Sequence, residues 1–242
     1  RIIKFYKSHN LNIQMTGIWN SLIDGNFKNI HNILLTGDVK QVRKVLDEIY
    51  STPTLWGIDW YKTHELISEY PQVLQKAFSN LGKDLQIEIF NPITEKSIQE
   101  IEAKTQFKLD FPLYPERPII SLYGRNIPVR YITCIQVVER LKNYIKEQPT
   151  EVLEIGAGTG YITSIITSMY PDVKYHIIDL PLVCVIHAYI HCTMFGESKI
   201  WFGGEEDRAN KSLFFYSPNN YENLYNNKVD FAINHNSFLK SL

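Results

Sequence analysis

Three closely spaced glycines, Gly156, Gly158 and Gly160, are the residues of this chain best suited to holding a ligand. They follow a short apolar stretch, residues 151–155, and precede a stretch of helical character, residues 161–169. Because glycine has no Cβ, it lets the main chain approach a ligand, and the N-terminus of the following helix offers free N–H groups. This order of strand, glycine loop and helix predicts a cofactor-binding crevice.

An acidic residue follows at the position where a ribose would require one. A second apolar stretch, residues 173–178, ends in Asp179, 19 residues after Gly160. A carboxylate at the tip of the neighbouring strand can accept hydrogen bonds from both ribose hydroxyls. The loop and the acid together predict a ligand that contains adenosine.

The spacing of the glycines distinguishes between two classes of ligand. A dinucleotide site has the pattern G-x-G-x-x-G, in which the third glycine allows close packing of the helix near the pyrophosphate. This chain has G-x-G-x-G, and the bulky Tyr161 stands where the third glycine would be. The loop, preceded by Glu154, resembles motif I of the class I S-adenosylmethionine-dependent methyltransferases, in which it wraps the methionine part of the cofactor. An NAD-type oxidoreductase is the alternative.

Two further segments resemble one family of that class, the sugar O-methyltransferases. They are IDLP at residues 178–181 and NHNSF at residues 234–238, and with the glycine loop the resemblance extends over residues 151–238. It implies S-adenosyl-L-methionine as the cofactor and a hydroxyl of a small-molecule or glycan acceptor as the methyl acceptor. The family continues after Ser-Phe with an acidic residue and Met, whereas this chain continues with Leu239 and Lys240.

The resemblance also implies where the cofactor is bound. Asn219 is a separate candidate, because it follows an expected strand at residues 212–216 and could reach the adenine edge; it could equally be a turn residue. The complete set of predicted cofactor-binding residues is Glu154, Gly156, Ala157, Gly158, Gly160, Asp179, Leu180, Asn219 and Asn234.

The catalytic candidates His235, Asn236 and Ser237 follow the last predicted strand, and the resemblance places them near the sulfonium. His235 could be the general base, since a neutral imidazole accepts a proton near pH 7. The alternative is that it only orients the loop. Asn236 and Ser237 would hydrogen-bond the acceptor or the cofactor, or shape the turn.

Other side chains have a functional and a structural interpretation. His187 and His191 have the spacing of metal ligands on a helix but lack a third ligand, so a packed pair is favoured and no metal site is predicted. Arg125 and Arg130 could meet a carboxylate or an acidic sugar, or form structural ion pairs. The acidic run Glu205–Asp207 is more typical of a solvated loop, and Cys184 and Cys192 of packing. Aromatic residues that could stack on a sugar or belong to a core are Trp19, Trp56, Trp60 and Tyr61.

The elements needed to position these residues are those of an α/β fold. Apolar stretches at 151–155, 173–178 and 229–233, with one more inside 199–216, predict about four strands of a Rossmann-like sheet. A class I methyltransferase sheet normally has seven. We therefore expect residues 119–242 to form a Rossmann-like S-adenosylmethionine-binding domain that is incomplete at its C-terminus, as in a fragment.

Residues 1–118 are predicted to form a mainly helical domain that covers the acceptor site. Asp38 is the expected N-cap of one helix, and residues 95–104 are expected to form another. Alternating apolar residues at 85–89 predict a short strand. Three prolines within FPLYPERP, residues 111–118, mark the domain boundary, and a helix is expected to begin near Pro128.

Composition narrows the functional class. The chain has 25 Lys and Arg against 26 Asp and Glu, so its net charge of -1 gives no broad attraction for nucleic acid. It has 3 cysteines and no apolar run of the length that a membrane helix needs. We therefore expect a cytoplasmic protein without nucleic-acid or membrane partners. A non-catalytic domain that keeps the methyltransferase fold for interaction is a third alternative.

Overall fold

The computed structural model describes residues 1–10, 25, 27–49, 70–111, 120–145, 147–224 and 228–235. A five-stranded parallel sheet lies in the C-terminal half, in the order β5-β6-β4-β3-β7. This architecture is compatible with a Rossmann-like α/β fold, which confirms the predicted class at that level. The strands are β3 (Glu151–Ile155), β4 (Lys174–Ile178), β5 (Ile200–Phe202), β6 (Leu213–Tyr216) and β7 (Phe231–Asn234).

Helices surround this sheet, and a small hairpin precedes it. The hairpin pairs β1 (Ile120–Leu122) with β2 (Arg125–Ile127) in antiparallel register. Two 3-10 turns, Glu197–Lys199 and Tyr221–Leu224, flank the last strands. The helices are α1 (Ile2–Asn10), α2 (Lys28–Thr36), α3 (Val39–Asp47), α4 (Tyr70–Leu85), α5 (Glu95–Thr105), α6 (Val129–Lys142), α7 (Tyr161–Met169) and α8 (Pro181–Phe195).

The strand order reverses next to β3. The chain leaves β3 for β4 on one side and returns to β7 on the other, and both neighbours run parallel to it. In open α/β sheets the crevice outside the carboxyl ends of the strands at such a reversal is where ligands bind. The glycine loop that follows β3 therefore lies at this switch point.

The two faces of the sheet are covered differently. Glu154, Ile177 and Phe215 are in register on one face, where Glu154 contacts α7 and Phe215 contacts His187 of α8. Leu153, His176 and Phe214 share the opposite face, where a cluster of Trp201, Phe214 and Tyr216 is buried. The loop between β5 and β6 covers this second cluster through Arg208.

Several predicted elements are confirmed. Asp38 caps α3 by accepting hydrogen bonds from the backbone of Lys40 and Gln41, at 2.9 and 3.1 Å. The expected helix at 95–104 is α5, and the helix near Pro128 is α6, for which Pro128 is the N-cap residue rather than part of the first turn. β3 and α7 have their predicted bounds.

Other predictions were wrong. Leu85 ends α4, and residues 86–90 form no strand. Instead the Ile87 N–H donates to the Gly82 carbonyl at 2.8 Å, and a Cβ on Gly82 would lie 2.4 Å from Ile89. The alternation therefore reflects packing of the chain back onto a helix. The stretch 199–216 holds the two strands β5 and β6 rather than one, which brings the sheet to five strands instead of about four.

No helix in the described ranges combines the length and the hydrophobicity that crossing a membrane demands. The predicted domain boundary at residues 112–119 lies outside the described residues, as do Trp19, Trp56, Trp60 and Tyr61. The division into two domains stays a prediction. A single buried apolar cluster includes residues from both sides of that boundary, for example Phe5 and Ile135.

Candidate functional site

The glycine loop has a backbone conformation that other residues adopt only with strain. Gly156, Gly158 and Gly160 have φ values of 74°, 59° and 82°, all in the left-handed region. The Gly156 N–H donates to the carbonyl of Ile178 at 2.8 Å, which ties the start of the loop to the end of β4. The three glycines are therefore required by the shape of the turn and not only by a ligand.

Asp179 touches this loop directly. One carboxylate oxygen accepts a hydrogen bond from the Gly158 N–H at 3.0 Å, and the other accepts from the Leu180 N–H at 2.8 Å. The Asp179 N–H donates to the carbonyl of Tyr216 at 3.2 Å, so β6 fixes its backbone. The predicted loop and the predicted acid thus form one half-buried unit.

Two buried histidines lie beneath the loop. A Cβ on Gly160 would lie 2.1 Å from Nε2 of His187 and 2.6 Å from Cε1 of His191. His191 Nε2 and the Ser164 hydroxyl are 3.2 Å apart, and that hydroxyl donates to the Gly160 carbonyl at 2.8 Å. In the described part of the chain, neither ring nitrogen of the fully buried His187 has a hydrogen-bond partner. The pair packs against the loop, and burial holds the pKa of His187 well below its usual value.

Glu154 is a buried carboxyl group beside the loop. It is 2% exposed, and its Oε2 accepts hydrogen bonds from Thr163 at 2.9 Å and from Tyr175 at 2.8 Å. Burial raises its pKa to about 7, although both hydroxyl groups oppose that shift. Near neutral pH this carboxyl group is therefore present in both its protonated and its ionised form.

A cavity of ≈ 30 Å³ opens between the loop, the start of α6 and the end of β7. Larger cavities of ≈ 540, ≈ 480 and ≈ 600 Å³ contain no residue of the glycine loop. The small cavity is the candidate site because its lining includes the polar side chains of Arg130, Glu154 and His235 beside the glycine loop. It is lined by Arg130, Cys134, Glu154, Gly156, Ala157, Gly158, Thr159, Tyr161, Ile162 and His235.

The end of β7 lies beside this cavity. Asn234 is exposed and pairs in register with Ile155, the residue before the loop. His235 is half-buried and lines the cavity, and burial, followed by the charge of Arg130, lowers its pKa. Asn236 and Ser237 lie outside the described residues. The structure therefore brings Asn234 and His235 to the loop, as expected.

Asn219 has a different environment from the loop residues. It is exposed in the turn after β6, whereas its neighbour Asn220 turns inward and accepts a hydrogen bond from the Ser217 N–H at 2.7 Å. The Asn220 amide nitrogen lies 2.8 Å from Nε2 of His9, which fixes α1 to this turn. The side chain of Asn220, and not that of Asn219, shapes the turn beside Asp179.

The remaining candidates are occupied elsewhere. Arg125 forms an ion pair with Glu102 at 3.2 Å, which is the structural role weighed for it. Glu205 pairs with Arg1 at 2.7 Å. Within the part of the chain that the structure describes, no three His, Cys, Asp or Glu side chains could together hold a metal ion.

Sequence reasoning did not identify the groups that surround Glu154. Thr163 and Tyr175 read as ordinary helix and strand residues, and only the register of β3 with β4 and the first turns of α7 bring their hydroxyls to one carboxyl oxygen. An acidic residue at an inward position of an apolar strand was the available signal. Comparisons with protein-family models, curated proteins and solved structures found no match for this chain.

Proposed function

We propose that this chain binds S-adenosyl-L-methionine at the glycine loop and belongs to an O-methyltransferase that acts on a hydroxyl of a sugar or glycan precursor. The observation that carries the proposal is the hydrogen bond from Gly158 to Asp179 at the switch point of the sheet. This hydrogen bond connects the glycine loop, which lets the main chain approach a ligand, with a carboxylate that can accept hydrogen bonds from ribose hydroxyls.

The residues present fit such a cofactor. The loop offers backbone in a conformation open to close approach, Asp179 offers acceptors for ribose hydroxyls, and Arg130 and Glu154 offer opposite charges for an amino-acid end. Tyr161, at 4% exposure, packs against Phe111 with ring centroids 5.1 Å apart, and so fills the position where a dinucleotide fold has its third glycine. This packing favours the methyl donor over a dinucleotide.

When bound, the cofactor would supply an electrophilic methyl group on a positively charged sulfur, which keeps the electron pair of the broken C–S bond. The protein must then align an acceptor oxygen with that methyl group and accept the proton of the hydroxyl. His235 is the group proposed for that proton, because its lowered pKa keeps the imidazole neutral near pH 7. Burial is the larger cause of this lowered pKa, and the positive charge of Arg130 adds to it.

The acceptor class depends on the resemblance of residues 178–181 and 234–238 to sugar O-methyltransferases. The described residues add that the end of β7 is next to the loop, so an acceptor near His235 would be close to the methionine end of the cofactor. A sugar hydroxyl is a weak acid, and a neutral imidazole is a suitable base for it.

Isothermal calorimetry with S-adenosylhomocysteine and with NADH tests the cofactor. We expect binding of the thioether and none of NADH. Asp179→Ala should weaken thioether binding about 10- to 100-fold through the lost charged hydrogen bonds. Asp172→Ala, an exposed acid just before β4, is the matched control and should leave the affinity unchanged.

Two outcomes would favour the other classes of function. NADH binding without a response to the thioether would support an oxidoreductase. Thioether binding without labelled-methyl transfer from S-adenosylmethionine to any member of a glycan panel would support a domain that keeps the fold for interaction only.

A further inference from the structure

A buried histidine ring without a hydrogen bond lies under the glycine loop. His187 of α8 is 0% exposed, and within the described ranges neither of its ring nitrogens has a hydrogen-bond partner. The ring makes a T-shaped contact with Phe215 of β6, with centroids 5.0 Å apart, and its centroid lies 4.6 Å from that of His191. A buried polar group without a partner costs free energy, so its presence calls for an explanation.

The same ring supports the last glycine of the loop. A Cβ on Gly160 would lie 2.1 Å from Nε2 of His187, so this nitrogen lies directly against the Gly160 backbone. The Gly160 carbonyl accepts hydrogen bonds from the Ser164 N–H at 2.9 Å and from the Ser164 hydroxyl at 2.8 Å. That hydroxyl lies 3.2 Å from Nε2 of His191. His187 and His191 thus form a histidine floor beneath the loop and the first turn of α7.

The helices packed around His187 bring it no negative charge. On α8 itself, Cys184 is a buried thiol whose pKa is raised by burial, so it stays neutral. The charge of His191 opposes a second charge on the neighbouring ring. The sequence of α7, YITSIITSM, contains no acidic or basic residue. A proton on His187 is therefore not neutralised from the helical side.

The carboxyl groups of the sheet are engaged with other partners. Glu154 shares a sheet face with Phe215, but β4 separates their strands, which places the strand axes about 10 Å apart. Its Oε2 accepts hydrogen bonds from hydroxyl groups of α7 and β4. The Asp179 carboxylate accepts from two backbone N–H groups. An uncompensated charge at His187 would be costly in this buried place.

We propose that the histidine floor is an acid-sensitive switch: when His187 gains a proton, its ring leaves the buried site and the glycine loop separates from α8. The proton comes from solvent as the ring becomes exposed, and no other group has to react. The switch concerns the loop itself and does not depend on which ligand the loop binds. A ligand held there would be released as the loop moves.

Proton linkage gives the direction and the size of the effect. Burial holds the pKa of His187 well below its usual value, so the closed loop keeps a neutral ring. An exposed ring titrates near about 6.5, so the closed state is fully favoured above that pH and loses favour below it. The open fraction should rise about 30-fold between pH 7.5 and pH 5. Glu154 cannot cause this rise, because its raised pKa makes acid favour the folded form.

Hydrogen exchange of the ligand-free protein tests the switch. The reporters are the N–H groups of Gly160 and Ser164, which donate to carbonyls within the loop and the first turn of α7. The reference is the Tyr175 N–H, which donates to the Ser212 carbonyl inside the sheet at 2.7 Å. Protection factors remove the intrinsic dependence of exchange on pH. From pH 7.5 to pH 5 we expect the protection of the reporters to fall about 30-fold and that of the reference to change less than about threefold.

Two variants assign the effect to His187. His187→Leu and His187→Gln have a neutral side chain at every pH, so the protection of their reporters should stay within about threefold over the same range. His176→Gln is the matched control, because His176 is also buried with a lowered pKa but lies on the opposite face of the sheet. His235→Gln is the second control, since His235 has a lowered pKa beside the loop. Both controls should keep the full fall.

Three results would overturn the proposal. The first is reporter protection in the wild type that does not change with pH. The second is an equal fall at the Tyr175 reference, which would mean that acid unfolds the whole sheet. The third is a fall that persists in both His187 variants or is lost in His235→Gln. The first two need only the wild-type protein, so they decide the matter even where a variant does not fold.

Discussion

Two buried polar clusters on opposite faces of the same sheet differ in how completely their groups are paired. On one face Arg208 donates to the Tyr216 hydroxyl at 2.9 Å, that hydroxyl lies 3.1 Å from His176 Nδ1, and His176 Nε2 lies 3.1 Å from Glu151. With the proton of His176 on Nε2, each of these four side chains has a hydrogen-bond partner. Burial lowers the pKa of His176 to about 4, so the ring is neutral.

The cluster at the glycine loop is incomplete by comparison. Among the residues that the structure describes, neither ring nitrogen of His187 has a hydrogen-bond partner, and burial raises the pKa of Glu154 to about 7. Every second residue of the loop, namely Gly156, Gly158 and Gly160, has a positive φ. Incomplete pairing beside a loop that only glycine adopts readily is typical of a region shaped for a ligand, and complete pairing is typical of a region shaped for stability.

Gly160→Ala should have the largest effect on stability, because Gly160 is the most closely packed residue of the loop cluster. The new methyl group would require a left-handed alanine and would collide with His187. Left-handed strain of about 1–2 kcal/mol and overpacking of about 1–3 kcal/mol should lower the free energy of unfolding by roughly 2–5 kcal/mol. Urea unfolding followed by circular dichroism measures this loss.

A double variant sharpens the same prediction. His187→Ala in the Gly160→Ala background removes the closest collision, that with His187, but keeps the close contact with His191 and the backbone strain. The double variant should be more stable than the sum of the two single losses predicts, by about 1–3 kcal/mol. Additive losses would show that the imidazole does not lie against Gly160.

Glu154→Gln should change how stability depends on pH. The folded-state pKa of about 7 lies above the usual 4.5, so between these values the folded protein keeps a proton that the unfolded chain has released. Rising pH therefore destabilises the wild type across this window, by about 3 kcal/mol in total, and not above it. Glutamine is neutral throughout and can accept the hydrogen bonds of Thr163 and Tyr175.

The measurement is the difference in unfolding free energy between the wild type and Glu154→Gln, taken from pH 4 to pH 8. It should move in favour of the variant as the pH rises and then level off. Parallel curves for the two proteins would mean that Glu154 titrates normally and is not part of an incompletely paired cluster.

Arg208→Met should have the smallest effect on stability and should leave ligand binding unchanged. Arg208 is exposed, and its guanidinium lies 4.6 Å from the Trp201 ring centre and 5.1 Å from that of Phe214. Its loss should lower stability by about 1 kcal/mol. The affinity for S-adenosylhomocysteine should not change, and a drop in that affinity would erase the distinction between the two clusters.

The sequence predicted the local parts of this site well. The strand, the glycine loop, the helix and Asp179 are close in sequence and follow from short-range rules on turns and periodicity. The strand expected at 85–89 was wrong because alternation arose from contact with Gly82, a relation that no short-range pattern expresses. Similarly, the sequence did not predict β5 as a strand separate from β6, because three residues are too few to show a hydrophobic period.

Non-local pairing was beyond the reach of the sequence. The partners of Glu154 and the fit of His187 under Gly160 depend on residues brought together from distant parts of the chain. Arg125 and Arg130 had the same two interpretations, and only the structure shows that Arg125 forms an ion pair with Glu102.

The most direct test of the account is a crystal structure of the protein with S-adenosylhomocysteine at saturating concentration. We expect the amino-acid end of the ligand to lie along residues 156–160 and its ribose hydroxyls to bind the Asp179 carboxylate. A ligand bound at another place, or no ligand beside Gly158, would contradict it.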